Sequence, residues 1–262
     1  MKFIVFLKQV PKSTKIKIDP VTKTLQRSSA LSQTNPDDLY ALEAAVALKK
    51  ETDAEVIAVS MGPSSAENVL REALQRGADK AILISDAAFA GSDTWCTSFV
   101  LSAVARTIGD YSILFFGKMA IDGDTAQVGP EVAAQLDIPQ VTLLQSIDKI
   151  DDNEVTVTRR TDSCIMQQRV SLPCAIMVSK GVCELKSPNL NGWRFANSQN
   201  IEHWDSATLN ISPDEVGLTA SPTQVVSTNV PDVEKKVIWL KSERELEDCL
   251  NILLKNGKDE GK

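Results

Sequence analysis

The sequence predicts an α/β fold, a doubly wound and mostly parallel sheet with an antiparallel extension and an extended C-terminal arm. Three observations carry this. Short apolar runs alternate with amphipathic stretches of 12 to 16 residues from Lys2 to Leu136, the pattern of βαβ crossovers. After Pro139 strand-like runs follow one another directly. The chain, 262 residues with 43% hydrophobic content, is also long and apolar enough for a substantial core.

The elements follow in order. Lys2 to Leu7 reads as a buried strand, after which Pro11 and a Lys-rich stretch loosen the chain. Asn35-Pro36-Asp37-Asp38 opens a helix, with Asn as the cap, Pro in the first turn and two acids at the positive end of the dipole. Leu39, Leu42 and Val46 form its apolar face, and Lys49-Lys50 its end. Glu55 to Ser60 is the next strand, Ser64 or Ser65 caps a helix carrying Val69, Leu70, Ala73 and Leu74, and Gly77 terminates it. Lys80 to Ser85 is a strand, Asp93 caps a helix through Ile108, Tyr111 to Phe116 is a strand, and a helix runs from about Thr125 to Leu136. Val141 to Ile150, Glu154 to Thr158, Gln167 to Val170 and Cys174 to Val178 read as the antiparallel extension, with Asp151-Asp152-Asn153 as a hairpin turn. From Lys186 to about Asp232 the chain is rich in Asn, Ser and Pro, and a segment of that length without strong periodicity is usually functional or extended over a partner. Ser242 to Lys255 is an amphipathic helix with Leu246, Leu250, Leu253 and Leu254 on one side.

Composition excludes several classes. The net charge of −7 leaves no basic stripe for a nucleic acid. No apolar run approaches the roughly 20 residues of a membrane span, and Met1 to Lys8 is not a signal peptide, so a cytoplasmic, non-membrane protein is expected. Five cysteines without a C-x-x-C pair argue against metal clusters and disulfides. The single histidine, His203, is expected to be a loop residue with no chemistry, which removes most imidazole mechanisms.

In such a sheet, ligands bind beyond the carboxyl ends of the strands. Four segments fall there: Leu7 to Pro11, Ser60 to Ser65, Ser85 to Trp95 and Gly117 to Gly129. Ser60-Met61-Gly62-Pro63-Ser64-Ser65 admits a close backbone and offers hydroxyls, or is an ordinary strand-turn-helix junction. Gly117 to Pro130 is longer than a cap needs and lacks both the Walker A spacing and G-x-G-x-x-G. Its Asp122 and Asp124 would repel a bare phosphate, so they are expected to cap amides or to take ribose and adenine donors. A nucleotide-like ligand and two plain helix caps both remain open at this point.

These residues also carry a resemblance. Val10-Pro11, Asn35-Pro36, Ala58-Val-Ser-Met-Gly-Pro63, Arg76-Gly-Ala-Asp79 and Gly117-Lys-Met-Ala-Ile-Asp-Gly-Asp-Thr-Ala-Gln-Val-Gly129 are similar to the β subunits of electron transfer flavoproteins. Glu154-Val-Thr-Val-Thr-Arg159, Ser171-Leu-Pro173 and Val216 to Thr223 keep the family order further along. The resemblance implies a fold of the adenine-nucleotide alpha-hydrolase type, a heterodimer with an α subunit, and AMP in this subunit with FAD in its partner.

The variant Ala120 to Gly129 motif, with Leu83 to Thr94, is similar to the electron-bifurcating branch, in which this subunit holds a second FAD. On that resemblance Phe6, Asn35, Ser60, Met61, Gly62, Gly117, Asp122, Gly123, Asp124, Thr125, Ala126, Gln127 and Val128 serve the adenylate and pyrophosphate part, and Asp93 and Thr94 extend the site toward the flavin. NADH would deliver hydride to this FAD, with one electron passing to ferredoxin or flavodoxin and the other through the α-subunit FAD to an FAD-dependent dehydrogenase. The implied division is 1–185 for nucleotide binding, 186–232 for partner recognition and 233–262 for an arm on the α subunit. Where many relatives carry Pro-Arg-Tyr, this chain has Ser187-Pro-Asn-Leu-Asn-Gly-Trp-Arg-Phe195. A 2-hydroxyacid dehydrogenase and an acyl-CoA or enoyl-CoA reductase are both candidate partners, and packing of Trp193 and Trp204 onto their own domain is the plain alternative. A non-bifurcating subunit with structural AMP, and an adenine-nucleotide hydrolase or ATP-binding stress protein of the same layout, are the competing functions.

Overall fold

A computed structural model describes residues 1–12, 32–226 and 239–259. The Lys-rich stretch expected after Pro11, residues 227–232 of the expected recognition segment and residues 233–238 and 260–262 of the expected arm lie outside them. Two compact units are present, Met1–Gln224 and Val225–Lys262.

The first unit is built on a nine-stranded sheet. β1 (Lys2–Phe6), β4 (Glu55–Met61), β5 (Lys80–Ile84), β6 (Ile113–Gly117), β7 (Gln140–Ile150), β8 (Glu154–Arg160), β9 (Ile165–Ser171), β10 (Cys174–Val178) and β11 (Glu202–Trp204) take the order β11-β5-β4-β1-β6-β10-β7-β8-β9. β2 (Gln9–Pro11) and β3 (Ser32–Thr34) form a separate antiparallel pair. β1 is central and parallel to β4 on one side and β6 on the other, with Phe3 opposite both Val56 and Ile113. The strand order reverses there, so the crevice between the exits of β1 and β6 is the topological switch point.

Both faces are covered because the β1, β4 and β6 residues are apolar on both sides. Phe3, Val5, Val56, Ala58 and Phe115 pack with Leu42 and Val46 of α1 (Pro36–Thr52) and Leu70 and Leu74 of α2 (Glu67–Arg76). Ile4, Phe6, Ile57, Val59 and Phe116 pack with Val100 and Val104 of α3 (Thr94–Ile108) and Val132 and Ala133 of α4 (Val128–Gln135).

Several local expectations are corrected. Asn35 precedes α1 but makes no side-chain cap, because its amide is committed to another loop, described below. The buried face of α1 includes Asp37, Asp38 and Glu43 and leaves Leu39 only partly covered. Neither Ser64 nor Ser65 caps α2: Ser64–Ala66 is a 3-10 turn, and Ser65 Oγ donates to Gln9 Oε1 at 2.8 Å. Gly77, at φ 121°, ends that helix as expected, and Asp93 caps α3 by accepting the Cys96 N–H at 3.1 Å. α4 starts three residues later than the pattern suggested, since Asp124 and Ala126 are left-handed (φ 50° and 54°) and cannot continue a helix.

The antiparallel extension is real for β7, β8 and β9. β10, expected within it, instead lies between β6 and β7 and is parallel to both. Its all-buried Cys-Ala-Ile-Met-Val is the composition of an interior parallel strand. β7 serves two neighbours because it bends: its register shifts, and Leu143 has φ 57°.

The segment from Lys186, expected to be extended, folds against the parent sheet as far as it is described. α5 (Leu190–Ser198) begins with an Asn189 cap and lies on α2, where Arg71 Nη1 donates to the carbonyls of Ala196 and Gln199. β11 then adds to the edge beside β5, placing His203 in a strand rather than a loop, with its Nε2 3.1 Å from the Glu67 carboxylate. Trp204 is partly covered by the core, whereas Trp193 is 54% exposed. α6 (Gly217–Ala220) closes the unit.

In the second unit α7 (Glu243–Asp259) extends the expected helix by four residues, and Leu246 and Leu250 on it are exposed. No helix among the described residues is long and apolar enough to cross a membrane.

The tightest joint between α2 and α5 is Gly192, where a Cβ would lie 2.2 Å from the Gln75 carbonyl oxygen. Gly192→Ala must push α5 away from α2, and a loss of about 1–3 kcal/mol is expected in urea unfolding.

Candidate functional site

The exits of β1, β4, β5 and β6 and the first turns of α3 and α4 enclose a cleft of about 770 Å³. Its floor is Phe6 and Phe116, whose rings stack at 4.6 Å with an interplanar angle of 11°. Phe6 ends β1 and Phe116 lies near the end of β6 on the same face, so the alternation of both strands delivers the pair. One wall is the turn from Ser85 to Asp93. The other is the loop from Gly117 to Gln127.

Each wall is tied down by carboxylates. Asp86 Oδ1 accepts the Ala88 N–H at 2.9 Å and Oδ2 accepts the Ser206 N–H at 3.0 Å. With the Ser206 hydroxyl, these bonds hold its carboxyl below the usual range. Asp93 Oδ2 accepts the N–H and hydroxyl of Thr223 at 2.9 and 2.8 Å. Burial pushes the Asp93 carboxyl up, but the bonds from Cys96, Thr223 and Trp95 outweigh it and leave it below the usual range. Thr94 Oγ1 lies 3.3 Å from Gln127 Oε1 and 3.2 Å from Glu131 Oε1, linking α3 to α4 across the cleft.

The loop wall depends on a buried joint at the switch point. Asp38 Oδ2 accepts the Lys8 N–H at 2.7 Å, and Oδ1 accepts Asn35 Nδ2–H at 2.9 Å. Asn35, fully buried, also donates to Met119 O at 2.9 Å and accepts the Ile121 N–H at 3.1 Å. Gly117 is required here, because a Cβ would lie 2.2 Å from Asp38 Oδ1 and 2.7 Å from the Asp38 nitrogen. Burial is the main reason that the Asp38 carboxyl is pushed up to about 7, with the adjacent Asp37 adding to it and the bonds from Asn35, Lys8 and Gly117 opposing. Asp37 is raised too, again by burial, with Met119, Lys118 and Lys180 opposing.

The residues singled out from sequence separate into four groups. Phe6, Met61, Gly62, Asp93, Thr94, Gly117, Gly123, Thr125, Ala126, Gln127 and Val128 line the cleft. Asn35 sits behind the loop and holds it. Ser60, only 1% exposed, shares the α1 and α2 face with Val56 and Ala58, because alternation along β4 turns it away from Val59 and Met61. Asp122 and Asp124 are exposed on the loop without lining the cleft, and α4 begins with no side-chain cap. The Asp122 carboxylate instead takes the Lys8 ammonium at 2.8 Å. Asp93, read toward the flavin, spends its carboxylate on Cys96 and Thr223.

Sequence reasoning passed over Asp38, Phe116 and Asp86. The matched positions of Phe6 and Phe116 at two strand exits were a usable signal for the floor. Asp38 looked like any first-turn acid, and only the approach of Gly117 reveals its burial.

A parallel sheet with a crevice at its switch point, small residues at the strand exits and two helix N-termini opening into it places the chain among the doubly wound α/β ligand-binding proteins. Comparison with known proteins narrows this. The electron transfer flavoprotein domain matches residues 22–208. The electron transfer flavoprotein subunit beta of Thermoanaerobacterium thermosaccharolyticum is 41% identical over 236 residues, covering 90% of each chain. The caffeyl-CoA reductase-Etf complex subunit CarD of Acetobacterium woodii is 41% identical over 88% of each chain. Protein FixA of Azotobacter vinelandii is 41% identical over 90% of this chain and 86% of its own. The chain belongs to the electron transfer flavoprotein family, in its β-subunit and FixA branch.

The fold favours a neutral Asp38, so stability falls as pH rises from the unfolded carboxyl's 3.8 through about 7 and levels off above. Ionised, the group costs roughly 4 kcal/mol. Asp38→Asn should therefore gain roughly 2–3 kcal/mol on the parent between pH 5 and pH 8 in denaturant unfolding, whatever its absolute stability.

Proposed function

We propose that this chain is the β subunit of an electron-bifurcating flavoprotein and holds an FAD of its own, with the adenylate on the Gly117 to Val128 loop and the flavin toward Thr94. The observation that carries this reading is the continuity of the cleft. It runs from Met61, Gly62 and the loop wall past the first turns of α3 and α4 to the Ala87 to Thr94 turn, about 770 Å³ in all, a longer channel than an adenylate alone needs. The residues suit a dinucleotide: apolar Phe6 and Phe116 beneath, backbone exposed at Gly62, Gly117 and Gly123, and the uncapped N-terminus of α4 for a pyrophosphate.

When bound, the flavin supplies hydride and single-electron chemistry, and the protein supplies binding, orientation and electrostatics. The stacked phenylalanines keep water from the floor. The uncapped N-terminus of α4 would hold the anionic part, since the first-turn N–H groups of α3 are taken by the Asp93 carboxylate, and Thr94 and Gln127 hold the two helices in register across it. No histidine lines the cleft, as suits a reaction carried by a cofactor.

The partners of this reading are an α subunit with its own FAD, NADH as hydride donor, ferredoxin or flavodoxin as one acceptor and an FAD-dependent dehydrogenase as the other. Kinship with a subunit whose name places it in a caffeyl-CoA reductase-Etf complex supports a CoA-ester reductase as that last partner, and a 2-hydroxyacid dehydrogenase is the other candidate. Leu190, Trp193 and Phe195, exposed on α5, have the aromatic character of a docking surface.

The test is purification of the αβ complex, flavin counting, and reduction of ferredoxin by NADH in the presence of the second acceptor. Two flavins per heterodimer with coupled ferredoxin reduction are expected. One flavin plus AMP would replace this reading with the non-bifurcating one, and turnover of ATP would favour a hydrolase. Gln127→Ala and Thr94→Ala should each weaken FAD retention in this subunit by roughly tenfold, about 1.4 kcal/mol, with the α-subunit flavin unchanged.

A further inference from the structure

Where α3 and α4 meet, the contact is a polar seam that begins at the cleft. Thr94, Ser98 and Ser102 on α3, with Gln127 ahead of α4 and Glu131 and Gln135 on it, recur at four-residue spacing, which keeps each set on one helix face. Thr94 and Gln127 form the cleft end and belong to its lining. Farther in, Gln135 Nε2 donates to Ser98 Oγ at 2.8 Å, and the Ser98 hydroxyl donates to the Trp95 carbonyl at 2.8 Å. Three buried oxygens of the seam, Glu131 Oε2, Gln135 Oε1 and Ser102 Oγ, have no partner among the described residues. Helix packing alone favours apolar side chains at such positions, because an unpartnered buried polar atom is costly.

Glu131 is the titratable member of the seam. It lies in the first turn of α4, where the helix dipole supports a negative charge, and no ammonium or guanidinium pairs with it among the described residues. Thr94 has one hydroxyl proton and two acceptors at hand, Gln127 Oε1 at 3.3 Å and Glu131 Oε1 at 3.2 Å. The carboxylate is the stronger of the two. The Thr94 proton therefore points along the seam to Glu131, and the lone pairs of its oxygen are left to the cleft. A hydroxyl set in this way can take a proton from the cleft while passing its own inward.

We propose that Thr94 and Glu131 form a proton relay, which receives the proton lost from the reduced flavin when its electrons leave. This rests on the proposed function in placing a flavin at Thr94. Hydride from NADH adds one hydrogen to the flavin, so departure of the two electrons to the two acceptors sets one proton free. The flavin N–H bond breaks and an O–H bond forms at Thr94 Oγ1. The former Thr94 proton moves to Glu131 Oε1, and the carboxylate becomes a carboxylic acid that returns its proton to water before the next turnover. Glu131 Oε2 and Gln135 Oε1 continue the line of acceptors away from the cleft, and the exposed Arg106, which donates to the Gln135 carbonyl at 2.7 Å, stands at its far end.

The test takes the αβ complex with two flavins, reduced with NADH, freed of the excess, and mixed with ferricenium, a one-electron oxidant that takes up no proton. Time-resolved infrared spectroscopy should show in the parent a carboxylic acid C=O band that rises as flavin is oxidised and decays as a pH indicator reports the proton in solution. Glu131→Gln should lack the band and oxidise the flavin of this subunit about a hundredfold more slowly. Thr94→Val should do the same, and Thr94→Ser should restore both, each variant being loaded with added FAD to the parent's flavin content. Absence of the transient band in the parent, its persistence in Glu131→Gln, or an undiminished oxidation rate in Thr94→Val overturns the relay and leaves the function above intact. A complex with one flavin and AMP overturns both. The parent's own band decides the matter if a variant does not fold.

Discussion

The cleft depends on one constraint, the burial of a carboxylate against a glycine at the centre of the sheet. Asp38 and Gly117 meet so closely that no side chain fits at position 117. Their approach brings the start of α1 against the exit of β6, at the point where the strand order reverses. From there hydrogen bonds run outward to Lys8 at the exit of β1 and, through Asn35, to Met119 and Ile121. Two strand exits and a helix start are thereby fixed relative to one another. The remaining parts of the site are arranged around them.

The two walls of the cleft are held by different means. The Ser85 to Asp93 wall is fastened by carboxylates low in pKa, Asp86 to Ser206 and Asp93 to Thr223, which stay ionised through the physiological range. Those bonds also bind the segment after β11 to the sheet, so the later part of the chain completes a wall begun by β5. The loop wall rests on a carboxylate raised by burial. The carboxylates of the first wall lie below the usual range and Asp38 well above it, a difference that follows from how many donors each carboxylate meets and how much water it has lost.

Much of the fold was legible in the residues because the signals are local. Apolar runs bounded by turns located β1, β4, β5, β6 and β10, and Gly77 and Asp93 marked helix boundaries through backbone conformation and a short-range hydrogen bond. Where the reading went astray, a distant partner competed with the local one. Asn35 is an excellent cap by composition, but Met119 and Ile121 offer it three-dimensional partners that outweigh the cap. Ser64 and Ser65 yield to a 3-10 turn. β10 looked like the last strand of a meander, and only pairing with β6 and β7 shows it to be interior. The Asn-, Ser- and Pro-rich stretch after Lys186, without strong periodicity, suggested an extended recognition segment, but Gly192 fits against α2 and Glu202 to Trp204 complete the sheet edge.

What the sequence by itself determined is the class of sheet, the sites of its strand exits, the family, and the four segments that contribute to the cleft, since periodicity and motif order are properties of neighbours in the chain. What only the tertiary structure decided is which of those residues face the cleft and which hold it. Ser60 and Met61 are adjacent in sequence and lie on opposite faces of β4. Asp37 and Asp38 are read alike as first-turn acids, yet only Asp38 reaches both Lys8 and Asn35. The physical reason is that burial and hydrogen bonding at these positions come from residues 30 to 86 places away in the chain, and no local pattern encodes the meeting of β1, α1 and β6.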